Sequence, residues 1–185
     1  MNITRLKQLY DANYIAQLKK KLGYENQMCI PKIEKIIISI STKDIILNPK
    51  IINTVYEDLY LITGQKPLIT KAKCSISGFK LRKGEVLGLK VTLRKIMMYE
   101  FLDRLINIAL PRIKDFKGIN INSFDKNGNL SIGIREYMIF PEINYNRVDK
   151  IRGLGIVIVT SAKTNIEAKF LLEMFNIPLI LKKYD

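Results

Sequence analysis

The residues from Gly64 to Arg94 read GQKPLITKAKCSISGFKLRKGEVLGLKVTLR, and the closing run from Leu87 to Arg94 decides the fold. In LGLKVTLR, Leu87, Leu89, Val91 and Leu93 alternate with Gly88, Lys90, Thr92 and Arg94. A period of two puts the apolar set on one face of a β-strand and the other set on the opposite face. The apolar row needs helices to cover it. The other row sets an ammonium, a hydroxyl and a guanidinium in a line on an open surface. A sheet covered on one side only, in a chain that mixes strand and helix patterns, predicts an α+β fold. The expectation is a single domain over residues 1–185, a mostly antiparallel sheet with helices packed on one face and the other face open.

The same segment concentrates charge. Lys66, Lys71, Lys73, Lys80, Arg82, Lys83, Lys90 and Arg94 face one acid, Glu85, for a net of +7, half of the chain's +14. An isolated Lys-x-Thr-x-Arg is usually a half-exposed strand with solvated charges. Inside such a cluster it predicts a surface that holds phosphates, sugars and base edges of RNA. Ser75, Ser77, Gly78, Gly84 and Gly88 surround Phe79 in the connection before the strand. Such a loop is suited to ordering on a partner. There Phe79 either stacks on a base or ribose, or pins the loop to its own core.

Working outward, Leu6, Tyr10, Tyr14, Leu18 and Leu22 stand four apart and predict one helix from Ile3 to Leu22, ended by Gly23. Ile33 to Ile40 reads IEKIIISI, a β-branched run suited to a mostly buried strand. Asn48, Pro49 and Gly64 punctuate a second helix whose inner face is Ile51, Ile52, Val55, Tyr56, Leu59 and Ile62. A third is predicted from Lys95 to Ala109, with Met98, Leu102, Leu105, Ile106 and Ala109 inward and Pro111 as the stop. A fourth opens on the capping pair Thr164 and Glu167, buries Phe170, Leu171, Met174 and Phe175, and stops before Pro178. Further strands are expected at Leu68–Cys74, Ile119–Ser123, Leu130–Glu136 and Leu154–Ser161, with a turn at Asp125-Lys126-Asn127-Gly128.

Composition narrows the chemistry. The 185 residues are 48% hydrophobic and 26% charged, with 31 Lys plus Arg against 17 Asp plus Glu. An excess of that size answers to a polyanion, either nucleic acid or an acidic membrane surface. No apolar run approaches the roughly 18 residues that a membrane span needs. Histidine is absent, which removes the commonest general base and the commonest metal ligand. Cys29 and Cys74 form no CxxC unit and are expected to be small buried hydrophobes in a reducing compartment, with no metal and no cofactor. Gly153-Leu154-Gly155 lacks the third glycine of a dinucleotide site and enters a strand, not a helix. An enzyme is therefore not expected. The N-terminus, MNITRLKQLYDANY, has neither a signal-peptide nor a transit-peptide character, so the protein is expected to be made where it works. With 31 Ile and 14 Asn against 6 Val and 6 Ala, the composition points to an AT-rich genome, an organelle's or a reduced bacterium's.

The blocks GQKPLITKAK, SGFKLRKGEVLG, KVTLR, FLDRLINIALPRIKDFKGI, SFDKNGN, IREYMIFPEI and VDKIRGL occur in this order and cover nearly the whole chain. Together they resemble the universally distributed large-subunit ribosomal protein family known as "L five", in its bacterial form. The resemblance implies an α+β domain that binds 5S ribosomal RNA and helps assemble the central protuberance. Its implied partners are 5S and large-subunit rRNA, peptidyl-site transfer RNA, neighbouring large-subunit proteins and a small-subunit head protein; no membrane is implied. By motif, Gln65, Thr92 and Arg94 fall on the family's RNA-contact positions, beside the cluster's Lys66, Lys71, Lys73 and Lys90. The family's transfer-RNA loop corresponds to Lys73–Arg82, with Lys73, Ser77, Phe79, Lys80 and Arg82 as its contact residues. One block departs: where the family has Asn-Met-Gly, another small residue and Gly, this chain reads Ser39-Ile40-Ser41-Thr42-Lys43. Ser39 has a shorter reach than Asn and replaces only part of its RNA contact. With the codon bias, the resemblance implies a mitochondrial matrix ribosome, with a plastid or a bacterial cytoplasm as alternatives. An extraribosomal RNA-binding module and a basic RNA-acting enzyme are the rival readings.

Overall fold

The computed structural model describes residues 4–42, 44–144 and 150–180. Ile3, Lys43 and Val148-Asp149 of the VDKIRGL block lie outside them. The order of elements is α1 (Arg5–Leu9), α2 (Ile15–Leu22), β1 (Ile33–Ser41), α3 (Asp44–Leu47), α4 (Ile51–Thr63), β2 (Leu68–Lys71), β3 (Val86–Leu93), α5 (Lys95–Arg104), α6 (Leu110–Arg112), β4 (Ile119–Asn120), β5 (Leu130–Ile134), β6 (Leu154–Thr160), α7 (Asn165–Met174) and β7 (Leu179–Ile180). The fold is α+β, with a mostly antiparallel five-stranded sheet in the order β2-β3-β1-β6-β5 and a two-stranded parallel pair, β4-β7. The chain groups into two compact units, one within Met1–Ile36, Arg94–Ile132 and Val157–Asp185, the other Ile37–Leu93 and Gly133–Ile156.

In the first unit the N-terminal stripe shows how sequence period shapes the backbone. Apolar residues four apart outrun the 3.6 residues of an α-helical turn and would drift around the rod. A wider π turn at Tyr10–Tyr14 separates α1 from α2 and absorbs the drift. Leu6, Tyr10 and Leu18 are thereby buried, and Tyr14 and Leu22 half-buried. Tyr10 stacks on Phe175 of the segment after α7 at 5.9 Å, Tyr14 meets the same ring edge-on at 5.4 Å, and the Tyr10 phenol donates to the Pro31 carbonyl at 3.0 Å. Burial, with Asp11 nearby, pushes the Tyr10 phenol up to about 12.

The predicted stop at Pro111 is overturned. A second π turn, Leu105–Ala109, follows α5, and the helical path continues through Pro111 to Arg112. Proline's missing N–H and its ring concern the carbonyl four residues back, here Asn107 inside the widened turn, where the α-helical bond is already lost. Ile106 is only half-buried. The capping pair also differs in detail. Thr164 Oγ1 accepts from the Glu167 N–H at 3.3 Å, but the Glu167 carboxylate reaches back to the N–H of Lys163 at 3.0 Å.

In the second unit α4 packs on β3. Val55, Leu59 and Ile62 bury against the sheet row Leu89, Val91 and Leu93, while Ile51, Ile52 and Tyr56 are half-buried. Gly64 ends α4 in the left-handed region, as expected, with its N–H on the Tyr60 carbonyl at 2.7 Å. Asn48 Oδ1 accepts from Lys50 N–H, so Pro49 sits in a turn before the helix and not in its first position. α3 was not expected; Thr42 Oγ1 caps it by accepting from Asp44 N–H at 3.0 Å.

Several strands are shorter than the apolar runs suggest. β2 ends at Lys71, and Ile119–Ser123 supplies two strand residues before a 3-10 turn. That short β4 pairs with β7 outside the main sheet. The Asp125–Gly128 turn forms as predicted, with Asp125 Oδ1 accepting from Asn127 and Asn129 N–H at 2.9 and 2.8 Å. These bonds, led by the Asn129 amide, hold the Asp125 carboxyl below its usual range. Cys29 and Cys74 are free but exposed, not buried, because each falls in a surface turn. Among the described residues no helix is long and apolar enough to cross a membrane.

Candidate nucleic-acid interface

The alternation read from the sequence holds on β3 from Leu89 onward: Leu89, Val91 and Leu93 are buried, Lys90 is exposed and Thr92 half-exposed. It fails before that, where Gly88 is buried and Leu87 only half-buried, at the shift in the register with β2. The antiparallel register pairs Leu68 with Lys90 and Thr70 with Gly88, so Leu68 and Thr70 share the open face. On β1, Ile38 and Ile40 are buried while Ser39 and Ser41 are exposed. On β6, Leu154 and Ile156 are buried and Gly155 lies between them. In this unit the open face therefore presents Leu68, Thr70, Lys90, Thr92, Ser39, Ser41 and Gly155.

Two glycines shape it. A Cβ at Gly88 would collide with the Ile40 carbonyl oxygen and come within 2.9 Å of Ser41 Cα. A Cβ at Gly155 would lie 3.1 Å from Ser39 Oγ. Gly88 is itself buried and lets β3 lie close against β1, beside the exposed hydroxyls of Ser39 and Ser41. Ser41 was missed from the sequence. Its signal was the odd-position parity of β1, hidden because IEKIIISI reads as apolar on both sides.

Not every predicted residue joins this face. Gln65 and Lys66 are exposed just beyond α4, with the Gln65 backbone fixed by buried Thr63, whose Oγ1 accepts from Gln65 N–H at 3.3 Å. Lys71 is exposed at the end of β2 and pairs with Val86 across a register shift between Thr70 and Lys71. Arg94 is exposed and extended, at the N-cap of α5, and groups with the first unit.

The glycine-containing connection is a built hairpin. Ile76 and Leu81 form a bridge with both backbone hydrogen bonds, 2.9 and 3.2 Å, closing a 3-10 turn at Ser77–Phe79. Lys80 takes φ +53 at its end. Lys83 N–H donates to Ser75 Oγ and Arg82 N–H to the Glu85 carboxylate, so Glu85 spends its charge on the backbone of the loop. Leu81 is buried, whereas Phe79 is 59% exposed. Lys73, Ser77, Lys80 and Arg82 are exposed around it. No ion pair among the described residues neutralises Lys73, Lys80, Arg82, Lys83 or Lys90. Among the described residues no group of three potential metal ligands comes together.

Comparison with known proteins accounts for almost the whole chain. Residues 26–82 match the family model of ribosomal protein L5, and residues 86–179 match the model of the C-terminus of the same ribosomal family. Over 176 residues the chain is 54% identical to the large ribosomal subunit protein uL5 of Geobacter sulfurreducens and 53% to that of Geotalea uraniireducens. It is 52% identical to the uL5 of Caldanaerobacter subterraneus subsp. tengcongensis, and each alignment covers 95% of this chain and 98% of the relative. The chain belongs to the ribosomal protein L5 family.

Proposed function

We propose that the protein is a structural constituent of the large ribosomal subunit and binds 5S rRNA through the open sheet face of its second unit. Binding, not turnover, is the activity. The observation that carries the reading is the Lys90–Thr92 row beside the exposed hydroxyls of Ser39 and Ser41, with no ion pair on Lys90 among the described residues. Phosphates displace counterions from the lysines, and the hydroxyls fix register against sugars and base edges. Gln65 and Lys66 extend the contact along the RNA, and Arg94 of the first unit is a separate RNA contact. The hairpin that carries Lys73, Ser77, Phe79, Lys80 and Arg82 is suited to a second RNA, and family membership supports peptidyl-site transfer RNA as that partner. Neighbouring large-subunit proteins and a small-subunit head protein complete the assembly.

The ribosome we propose is that of a mitochondrial matrix, supported by the Ile and Asn excess over Val and Ala. A bacterial cytoplasm is the second reading, favoured by the bacterial origin of relatives that share more than half of the aligned residues. The deciding experiment is sedimentation of the tagged chain with large subunits through high salt, followed by recovery of the bound RNA. Co-sedimentation with 5S rRNA enriched supports the reading. A chain that leaves the subunit at high salt and retains RNA without preference sinks it.

A further inference from the structure

Asn127 and Gly128 form the one Asn-Gly pair in the chain and close the Asp125 turn of the first unit. The pair suits the turn, since Gly128 takes φ +74 without a side chain to clash. It also carries a chemistry that RNA binding does not use. The carbon of an asparagine amide is an electrophile, and the backbone nitrogen of the next residue can reach it to close a succinimide ring. Asparagine is thermolabile for this reason. A side chain on the following residue obstructs the approach, and glycine has none.

The structure leaves both reacting groups loosely held. Asn127 is exposed, and its side-chain amide has no hydrogen-bond partner among the described residues. The Gly128 N–H donates to the Asp125 carbonyl at 3.4 Å, longer than an ordinary bond of that kind. Neighbouring asparagines lack one feature or the other. Asn129 is tied at both ends, its amide N–H on Asp125 Oδ2 at 2.7 Å and its oxygen on Thr160 N–H at 3.2 Å, and Leu130 follows it. Asn122 has a free amide but precedes Ser123.

We propose that Asn127 is a site of spontaneous deamidation, and that the fold turns the event into a local loss of structure. The Gly128 nitrogen attacks Asn127 Cγ and gives its proton to water. The bond from Cγ to the side-chain nitrogen breaks, and ammonia leaves. Water then opens the succinimide at either carbonyl, giving aspartate or isoaspartate. In isoaspartate the backbone runs through the former side chain and gains one carbon. The turn has no slack for it: Gly128 is buried, its carbonyl accepts from Thr160 Oγ1 at 2.8 Å, and Ala162 and Ala168 close on its Cα. The extra carbon therefore costs the tie between the turn and the end of β6. The assignment is independent of the RNA-binding reading.

The test ages the purified chain in warm neutral buffer and follows each asparagine by peptide mass spectrometry. Isoaspartate is counted separately by methyl transfer from S-adenosylmethionine with an isoaspartyl carboxyl methyltransferase. In the folded chain Asn127 is expected to convert to the acid several-fold faster than Asn122, and methyl groups should appear at this turn. The aged chain should unfold at lower urea than the fresh one. Asn127→Gln, which keeps an amide on a longer arm, should show neither the methylation at this turn nor that shift. A folded chain that keeps Asn127 intact overturns the proposal, because the turn then holds the amide away from the nitrogen. Conversion at Asn127 with an unchanged urea transition overturns its structural half.

Discussion

The phenol of Tyr137 donates a 2.9 Å hydrogen bond to Asp58 Oδ2, and both residues are buried. Asp58 projects inward from α4, and Tyr137 opens the 3-10 turn after β5. The Tyr137 N–H also donates to the Arg152 carbonyl at 3.1 Å, and Arg152 is itself 5% exposed. Three separate stretches of the second unit therefore meet at one polar point on the covered side of the sheet.

Tyr137→Phe keeps the ring and removes that donor. Losing a buried hydrogen bond to a carboxylate should cost about 1–3 kcal/mol, seen as a lower thermal midpoint and an earlier urea transition. The pH dependence has a definite sign. Burial first, and the bond to Asp58 second, push the Tyr137 phenol up to about 12, with Arg152 pulling the other way. A group whose folded pKa is raised contributes stability that is full below its unfolded value, near 10, and is lost as pH climbs through the folded one. Wild type should lose that contribution between about pH 10 and 12, and the Phe variant should lack that step. Equal midpoints at neutral pH would show that the bond adds nothing.

Gly88→Ala puts a methyl group into the backbone of β1 at Ile40 and Ser41. Neither neighbour is the end of a flexible side chain, so the strands must separate. A loss of about 1–3 kcal/mol is expected, in the range of overpacked cores. Binding of 5S rRNA should weaken beyond what stability explains, because Ser41 of the open face moves with the displaced strand. Calorimetry of the free protein and titration of the folded variant with RNA separate the two effects.

Lys90→Ala should leave stability within about 0.5 kcal/mol, since the ammonium is exposed and unpaired. Its effect belongs to the complex. Plotting log affinity for 5S rRNA against log salt should give a slope shallower by about one unit. A parallel line, shifted or not, would mean that Lys90 touches no phosphate.

Thr164→Ala removes the oxygen that accepts from Glu167 N–H at the start of α7. A cost of about 0.5–2 kcal/mol is expected from the lost cap. Glu167 is held in place from two directions, by Lys163 N–H and by the Tyr24 phenol at 2.9 Å, so Glu167→Ala should cost at least as much as the threonine change. Urea unfolding of both variants tests the order.

Much of this was legible before any coordinates. LGLKVTLR announced a half-covered strand because a period of two has one meaning on an extended backbone. Gly64 ended α4, and Asp125 organised its turn, because those signals act through the nearest few atoms. What failed were readings that ignored a competing local geometry. Pro111 was read as a stop because a π turn leaves no mark in composition, and the exposed cysteines were misjudged because residue type alone does not place a surface turn.

By itself the sequence determined the α+β class, the alternation over Leu89–Leu93 of β3, the Gly64 cap, the basic cluster and the family. Each depends on neighbours within a turn or two, or on matching blocks of residues. Only the tertiary structure decided that Lys71 meets Val86 across a shifted register, that Gly88 brings β3 close against Ile40 and Ser41, and that Tyr137 reaches Asp58. These relations join positions tens of residues apart, and they follow from strand register and packing, which local propensity does not encode.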